Sequence, residues 1–167
     1  MTSGWSIRPA RAEDEGFLWT MLFYASHSND CPGVGPADIM DNPDLVGYIE
    51  GWKLAGLPGV IAEKDGDPIG AAWLRLLPKS EESNPVFVRG DIPELAVAVL
   101  PGREGKGIGT AMIQSLLTEI RGRFVSVVLS ARADNPAVGL YRRLGFRSLG
   151  EITNRVGTRS VKMIVDL

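Results

Sequence analysis

The chain has 167 residues, of which 44% are hydrophobic and 23% charged, and it carries a formal net charge of −2. This size fits one domain over residues 1–167, and no apolar run approaches the ~18 residues that a membrane-spanning helix needs. The N-terminal residues lack the basic and then apolar pattern of a secretory signal, so we expect a cytoplasmic protein whose partners include neither a membrane nor a nucleic acid.

The chain has one cysteine, Cys31, and one histidine, His27. One cysteine allows neither an internal disulfide nor a cysteine-based zinc site within the chain, and we expect no metal. A lone histidine is most often structural or exposed, so we do not expect His27 to be catalytic.

The charge is distributed unevenly. Residues 11–50 contain eight acids and one base, whereas residues 103–147 contain eight bases and three acids. A basic second half suits a polyanionic cofactor, and an acidic first half suits a cationic substrate. Solvated helix faces would produce the same counts, so both interpretations stay open.

The first part of the chain predicts one strand and two helices. Residues 5–8 read as a short strand, and apolar residues recur with helical spacing over residues 13–26. Residues 30–36 contain two prolines and two glycines that interrupt regular structure. A second helix is predicted over residues 42–54.

An antiparallel hairpin is predicted next. The apolar stretches 60–64 and 69–77 flank an Asp-Gly pair at residues 65–66, which is a strong signal for a two-residue turn. Residues 78–91 then form a polar loop that is long enough to be functional.

The second half of the chain predicts a βαβ unit followed by a further helix and hairpin. Strands at 94–100 and 124–131 are continuously apolar, as buried parallel strands are, and they flank a helix at 107–121. Asn135 and Pro136 favour the start of another helix, which ends at Gly145. Residues 152–156 and 161–165 predict a closing antiparallel hairpin.

A glycine-rich turn lies where the first strand of this unit leads into its helix. The run Gly105-Lys-Gly-Ile-Gly-Thr110 has three glycines in five residues. Glycines let backbone N–H groups approach an anion closely, and the N-terminus of a helix favours negative charge. The turn therefore predicts a diphosphate site, although a plain turn with a packing glycine is the alternative.

Two common diphosphate motifs do not fit this turn. A P-loop requires Ser or Thr after its lysine, but Lys106 is followed by Gly107. A dinucleotide fingerprint started at Gly105 would need glycine where Thr110 stands, and the acidic ribose ligand is replaced by Ser130. Nucleoside triphosphate hydrolysis is therefore disfavoured, and a nucleotide-binding oxidoreductase is a remote alternative.

Several motifs in their order resemble those of the GNAT superfamily of acyl-CoA-dependent N-acyltransferases. They are the strand Val97-Ala98-Val99-Leu100-Pro101, the turn Glu104-Gly-Lys-Gly-Ile-Gly109, and Asn135 followed by Leu140-Tyr141-Arg-Arg-Leu-Gly-Phe146. The opening Ile7-Arg-Pro-Ala10 is also similar to the usual N-terminus of that family. The resemblance covers most of the chain.

The resemblance implies an α/β (α+β) fold and an enzyme. We expect a central, mixed and mostly antiparallel sheet of six or seven strands, with about four helices and one parallel pair of strands that splays apart. In this family the slot between the splayed strands is where thioester and amine meet. The implied activity is acetyl-CoA-dependent N-acetylation of a primary amine by direct attack.

The resemblance also implies which residues bind acetyl-CoA, the cosubstrate. The main chain of Val97, Ala98 and Val99 would pair with the pantetheine arm, and Asn135 would contact that arm. Backbone amides of the turn would hold the pyrophosphate; the residues concerned are Glu104, Gly105, Lys106, Gly107, Ile108, Gly109 and Thr110.

Two residues are candidates for catalysis by this resemblance. Tyr141 matches the tyrosine that protonates, or donates a hydrogen bond to, the leaving thiolate, although it could simply pack in the core. Glu94 matches a strand glutamate that acts as the base, with a solvated strand end as its structural alternative and a water relay as the alternative for deprotonation. Another branch of the family has its glutamate where this chain has Ser130, and the Val99 N–H would stabilise the developing oxyanion.

One position departs from the family pattern. Glu104 stands at the first position of the loop, where Arg or Gln is usual, and Arg103 precedes it. A carboxylate beside a pyrophosphate is unfavourable unless it points to solvent. Backbone donors carry most of such a site, so we expect binding to survive, with a weakly binding loop as the alternative.

The acceptor is not specified by the sequence and could be a small molecule or a peptide amine. Tyr24, Tyr48 and Trp52 could line an acceptor pocket, although packing is the usual role of helix aromatics. A non-catalytic acyl-CoA-binding module is the alternative to an enzyme. The sequence leaves the oligomeric state open; a homodimer is one of the alternatives, because family members often dimerise and the closing hairpin could supply an exposed edge.

Overall fold

The computed structural model describes residues 4–77 and 83–167. The strands and helices follow one another in the order β1 (Ser6–Pro9), α1 (Glu15–Ala25), α2 (Val46–Ala55), β2 (Gly59–Lys64), β3 (Asp67–Arg75), β4 (Glu94–Val99), α3 (Ile108–Ile120), β5 (Ser126–Arg132), α4 (Ala137–Arg143), β6 (Arg147–Thr153) and β7 (Arg159–Asp166). Short 3-10 helices at Ala12–Asp14, Ser28–Asp30 and Pro36–Ile39 flank α1 and precede α2.

The strands form a seven-stranded sheet in the order β1-β2-β3-β4-β5-β7-β6. β4 and β5 are parallel, with Glu94 opposite Val128, whereas β5–β7 and β6–β7 are antiparallel. With its four helices, this confirms the mixed, mostly antiparallel sheet expected from the sequence. The closing hairpin is also confirmed, but its first strand begins at Arg147 and ends at Thr153 rather than covering residues 152–156.

The Asp-Gly turn joins β2 to β3 as predicted. Asp65 and Gly66 have φ values of 53° and 84°, the two left-handed residues that a tight hairpin turn requires. The second helix starts later than predicted, at Val46, because the backbone N–H groups of Leu45 and Val46 both bond to the Asn42 carbonyl in a preceding turn.

The chain divides into two compact units. The first consists of the described parts of Met1–Arg75 together with Ala96–Glu119. Its core is formed by large, fully buried side chains from α1, α2, β2, β3 and α3, among them Leu18, Met21, Ile49, Ile61, Trp73, Ile108, Met112 and Leu116. Ser115, which precedes the buried Leu116 in α3, is exposed.

The second unit consists of the described parts of Leu76–Leu95 together with Ile120–Leu167. Its core includes a cluster that the segment before β4 forms with β5 and β7; the buried members are Leu77, Val86, Ile92, Val128 and Ile164. The predicted loop 78–91 is thus partly anchored, since Val86 is buried and the Phe87 N–H donates to the Asn84 carbonyl. Residues 78–82 of that loop lie outside the described residues.

An ion-pair network fixes the N-terminal strand. The Arg8 guanidinium donates two bonds of 2.8 Å to the Asp14 carboxylate and one of 3.0 Å to Glu63. Asp14 also accepts a 2.7 Å bond from the Arg11 N–H, and hydrogen bonding by Arg8 holds the pKa of Asp14 below its usual value. The Arg-Pro opening seen in the sequence therefore anchors β1 to the turn before α1.

No helix within residues 4–77 and 83–167 combines the length and the apolar character that crossing a membrane would require.

Candidate functional site

The glycine-rich turn has the backbone geometry that an anion site needs. Gly105 and Gly107 have φ values of 75° and 81°, which side chains with a Cβ rarely adopt. A Cβ built at either position meets nothing within 4 Å, so the space above the turn is open. Glycine is required here for conformation and not for packing.

The turn leads directly into α3, which begins at Ile108. The first N–H groups of an α-helix have no partner inside the helix, and the helix dipole adds positive potential at this end. The Lys106 side chain is exposed beside these donors, and Arg103 is half-buried. The arrangement can hold a phosphate group through its main chain.

Glu104 is held by its own loop. The Gly102 N–H donates a 2.8 Å hydrogen bond to the Glu104 Oε2, and the Glu104 side chain is exposed. Gly102 has a φ of 87°, which places its N–H in the turn before Glu104. The carboxylate therefore has a backbone partner outside the run of residues 105–110.

Strand β4 offers main-chain groups on one side. The Leu100 N–H bonds to the Ile69 carbonyl at 2.8 Å, and the Ala98 carbonyl lies 3.2 Å from a Cβ built at Gly70. Because backbone groups alternate along a strand, those of Val97 and Val99 point away from β3. These residues are half-buried, whereas the three residues before them are buried.

Asn135 caps α4 with its side-chain oxygen. The Ala137 N–H donates a 2.9 Å bond to Asn135 Oδ1. The side chain of Asn135 thus supports the start of α4, but the helix begins one residue later than predicted, at Ala137, with Pro136 and not Asn135 as its N-cap. The Asn135 side chain is half-buried, and its capping bond uses the oxygen and not the amide nitrogen.

Tyr141 lies on α4 with 7% of its surface exposed. Its ring packs edge-on against Phe146, with ring centroids 6.0 Å apart. Burial raises the pKa of Tyr141 to about 12. The phenol is therefore neutral at physiological pH and can donate a hydrogen bond.

Glu94 is the first residue of β4 and has 2% of its surface exposed. It lies opposite Val128 on β5, and the Val128 N–H donates a 3.0 Å bond to the carbonyl of the preceding Pro93. The solvated strand end that was the alternative for Glu94 is therefore excluded. Ser130, two residues further along β5, is exposed.

Three further residues singled out in the sequence, His27, Tyr24 and Trp52, lie in turns or in packed positions. His27 lies between α1 and the 3-10 helix Ser28–Asp30 in a left-handed conformation, with a φ of 59°, and its N–H and carbonyl close successive turns. Tyr24 packs edge-on against Phe23, with ring centroids 5.1 Å apart. Trp52 is buried, and its indole N–H has no hydrogen-bond partner within the described parts of the chain.

One buried charge was missed by the sequence interpretation. The Arg75 guanidinium lies 3.5 Å from the ring centroid of Tyr48, and 4% of Arg75 is exposed. Gly47 leaves room for it, since a Cβ there would lie 3.1 Å from the Arg75 Nη1. The Trp73 indole also donates a 3.1 Å bond to the Tyr48 carbonyl. An arginine inside an otherwise apolar strand was the signal available in the sequence.

Several acids of the first half have structural partners. Asp14 pairs with Arg8, Glu15 pairs with Lys53 at 2.8 Å, and Asp38 accepts a 2.6 Å bond from the Gly35 N–H. These acids stabilise turns and helices. The acidic balance of residues 11–50 is therefore weak support for a cationic substrate.

The sequence of this chain is similar to those of known acetyltransferases. The profile of the Acetyltransferase (GNAT) family matches residues 53–146. Mycothiol acetyltransferase of Sanguibacter keddieii is 30% identical over 152 residues, which cover 87% of this chain and 44% of that protein. Mycothiol acetyltransferase of Cellulomonas flavigena is 36% identical over 91 residues, which cover 52% of this chain and 26% of that protein. The chain thus spans less than half the length of these relatives.

The fold has counterparts among solved structures. The structure of yncA from Salmonella typhimurium with its cofactor acetyl-CoA superposes with a TM-score of 0.73 at 22% identity, covering 98% of this chain and 94% of that one. The family profile covers more than half of this chain and includes β4, the glycine-rich turn, α3 and α4. This chain belongs to the acetyltransferase (GNAT) family.

Proposed function

We propose that this chain is an acetyl-CoA-dependent N-acetyltransferase that acetylates a primary amine by direct attack. The observation that carries the proposal is the turn at residues 105–110, whose two left-handed glycines present backbone N–H groups at the start of α3. Because the chain belongs to the GNAT family, we infer that the anion bound by this turn is part of an acyl-CoA.

In this proposal the main chain of the turn binds the CoA pyrophosphate. The donors are the N–H groups from Gly105 to Thr110, and Lys106 adds an exposed positive charge. Val97 and Val99 supply main-chain groups for the pantetheine arm, because these groups point away from β3, whereas the Ala98 carbonyl faces β3 and leaves Ala98 only a contact role. The Asn135 amide nitrogen, which its capping bond leaves available, donates to the same arm.

Tyr141 acts in the proposal as the group that faces the leaving thiolate. A thiol has an ordinary pKa of ~8.5, whereas burial raises the pKa of Tyr141 to about 12. Full proton transfer from the phenol to the thiolate is therefore uphill. Tyr141 consequently acts as a hydrogen-bond donor that stabilises the negative charge on the sulfur and keeps its own proton.

Glu94 is the proposed base. A lysine-like ammonium has a pKa of ~10.4, so freeing its amine at neutral pH costs roughly 4 to 5 kcal/mol. A fixed carboxylate can take this proton directly or through a water. The amine nitrogen then forms a bond to the acetyl carbon, the carbon–sulfur bond breaks, and the second proton that the nitrogen loses passes, directly or through water, to the thiolate. The Val99 N–H stabilises the charge that develops on the carbonyl oxygen.

A non-catalytic acyl-CoA-binding module is the competing proposal. It is motivated by Glu104, which places a carboxylate next to the turn, and by the burial of Glu94. Both proposals expect acetyl-CoA to bind. Only the enzyme releases CoA when an amine is added.

Three narrower expectations stay predictions. The acceptor is a small-molecule or peptide amine, and the protein is cytoplasmic. The homodimer expected from the exposed hairpin is consistent with β6, an edge strand along which Ile152 is half-buried and the other residues are exposed. Sedimentation equilibrium tests the dimer, because a monomer at micromolar concentration contradicts it.

The experiment that tests the proposed function measures two products together. The purified chain is incubated with acetyl-CoA and a panel of polyamines, aminoglycosides, amino acids and peptides, and both free thiol and acetylated amine are quantified by mass spectrometry. Equal amounts of the two products with at least one amine support the enzyme. Acetyl-CoA binding without either product across the panel favours the binding module.

A further inference from the structure

A cation and a hydroxyl lie side by side on β5 and β7. Ser130 is directly opposite Lys162 in the antiparallel ladder, so their side chains project from the same face about 5 Å apart at Cβ. Ser130 is exposed and Lys162 is half-buried. The proposed function assigns no role to this Ser130–Lys162 pair.

Within residues 4–77 and 83–167, the Lys162 ammonium has a carbonyl and not a carboxylate as its partner. Its Nζ donates a 2.9 Å hydrogen bond to the Phe87 carbonyl, and burial lowers the pKa of Lys162. The ion pairs among the described residues do not include Lys162. An ammonium has three donors, so two remain after the bond to Phe87. A half-buried charge with a neutral partner would be stabilised by an anion.

Space is available beside this ammonium. Gly150 is opposite Lys162 on the β6 side, so the facing residue of β6 has no side chain to cover that flank. A Cβ built at Gly150 meets nothing within 4 Å. Arg132, two residues along β5 from Ser130, adds a second cation on the same face, although it also pairs with Asp134 at 3.5 Å.

The same face carries the proposed base. Glu94 is opposite Val128, and Val128 is opposite Ile164, two residues from Lys162. Side chains in register on neighbouring strands share a face, so Glu94, Ser130 and Lys162 all project from it. Strand spacing places the Glu94 and Lys162 Cα atoms about 12 Å apart. This face of the sheet therefore carries an acidic group on β4, Glu94, and a basic group on β7, Lys162.

We infer that the Ser130–Lys162 pair binds a carboxylate of the acceptor, so that the acceptor is an amino acid or a peptide and not a simple polyamine. The inference rests on the proposed function, in which the amine of the same molecule passes its proton to Glu94 through water, because the buried Val128 and Ile164 lie between Lys162 and Glu94. The acid of the acceptor takes the two remaining Lys162 donors and the Ser130 hydroxyl. Such charge-assisted bonds are the stronger ones in proteins.

The first test compares amines that differ in one carboxylate. Phenylalanine and phenethylamine, and alanine and ethylamine, are acetylated by the native enzyme and by the K162Q, K162R and S130A variants. The native enzyme is expected to prefer the carboxylate member of each pair by at least about tenfold in kcat/KM. K162Q is expected to lower this preference about 10- to 100-fold through KM, and K162R to restore part of it.

The matched control is R147Q. Arg147 is an exposed cation on β6 that pairs with Asp166, so this variant removes a positive charge from the same unit without touching the pair. It should keep the native preference. An equal kcat/KM for the two members of each pair, or a full preference retained in K162Q, overturns the inference.

A binding measurement separates this inference from the proposed function. N-acetylphenylalanine and N-acetylphenethylamine are titrated into isotope-labelled protein, and backbone amide shifts are followed by NMR. Shifts at Ser130 and Lys162 with the acid alone, lost in K162Q, support the carboxylate site even if no amine is acetylated. Failure of the acid to shift these signals overturns the site, even if simple amines are acetylated.

Discussion

The Glu104 carboxylate accepts a 2.8 Å hydrogen bond from the backbone N–H of Gly102. This bond ties the acidic side chain to the residue two positions before it, so that the carboxylate closes the turn that precedes residues 105–110. Glu104 therefore has a conformational role in a loop where members of the family usually carry Arg or Gln. Its charge still opposes an anionic ligand.

Replacing Glu104 by Gln separates these two effects. The Gln side-chain oxygen can still accept from the Gly102 N–H, but the negative charge is gone. We expect E104Q to bind CoA about 2- to 5-fold more tightly, because charges in an exposed site interact by less than about 1 kcal/mol. Titration calorimetry at low and at high salt measures the gain, which should shrink as salt screens the charge.

The control for this change is E119Q. Glu119 is exposed near the end of α3, about 16 Å along the helix axis from Ile108, and the variant removes the same charge. E119Q should bind CoA as the native chain does. Weaker binding by E104Q would show that the carboxylate itself supports the site.

Gly107→Val is expected to abolish the stabilisation by acetyl-CoA. The φ of 81° at Gly107 is strained for a β-branched residue, so the turn would change shape and misplace its N–H groups. Differential scanning fluorimetry with and without acetyl-CoA measures the effect. Gly33→Val is the matched control, because Gly33 has a φ of 78° with open space around it and lies outside the proposed site.

Both glycine variants should lose stability from strain, but only Gly107→Val should also lose the response to acetyl-CoA. A normal ligand-induced shift in Gly107→Val would mean that the turn does not hold the pyrophosphate.

Tyr141→Phe is expected to lower kcat about 100-fold with little change in acetyl-CoA binding, because it removes one donor to the leaving group. Burial raises the pKa of Tyr141 to about 12, so the phenol stays protonated throughout neutral and mildly alkaline solution. The ratio of native to variant kcat should therefore be constant between about pH 7 and pH 10. A ratio that falls over this range would indicate a phenol that ionises there.

The edge-on contact between Tyr141 and Phe146 provides the packing control. Phe146→Leu alters the packing around the ring without removing the hydroxyl. It should lower stability, and a loss of kcat as large as in Tyr141→Phe would point to packing as the role of Tyr141.

Asp14→Asn is expected to lower the free energy of unfolding by about 2 to 3 kcal/mol at neutral pH, since it leaves the buried side of the Arg8 guanidinium without its carboxylate. The Arg8 hydrogen bonds lower the pKa of Asp14 in the folded chain. A lowered folded pKa contributes stability above the unfolded pKa of ~3.9, and that stability is lost as the pH falls through the folded value.

The difference between native and Asp14→Asn chains should therefore narrow below about pH 4. Urea unfolding at a series of pH values measures it. Asp91→Asn is the control, because Asp91 also pairs with an arginine, Arg89, but both side chains are exposed. Asp91→Asn should change stability little, and an equal loss in the two variants would contradict the importance assigned to the N-terminal anchor.

Local features of the site could be predicted from the sequence. The Asp65-Gly66 turn and the glycines at 105 and 107 depend on the backbone preferences of single residues, so their positions follow directly from residue type. The cap at Asn135 is equally local, because its acceptor serves an N–H two residues later.

Long-range features could not be predicted in this way. Lys162 and Phe87 are 75 residues apart, and no pattern within β7 reveals that a carbonyl from another segment meets the ammonium. The stacking of Arg75 on Tyr48 depends in the same way on α2 lying against β3 and on the space left at Gly47. Contacts of this kind are determined by tertiary packing. The spacing of residues in the sequence contains little information about which distant segments pack together.

We propose that this chain binds acetyl-CoA through the turn at residues 105–110. Thermal unfolding of the chain with acetyl-CoA, with CoA and with NAD tests this binding. At about 100 times its dissociation constant, a ligand adds about 2.7 kcal/mol to the free energy of unfolding. We expect a clear rise in melting temperature with acetyl-CoA and CoA and no rise with NAD. No rise with acetyl-CoA, or an equal rise with NAD, would contradict it.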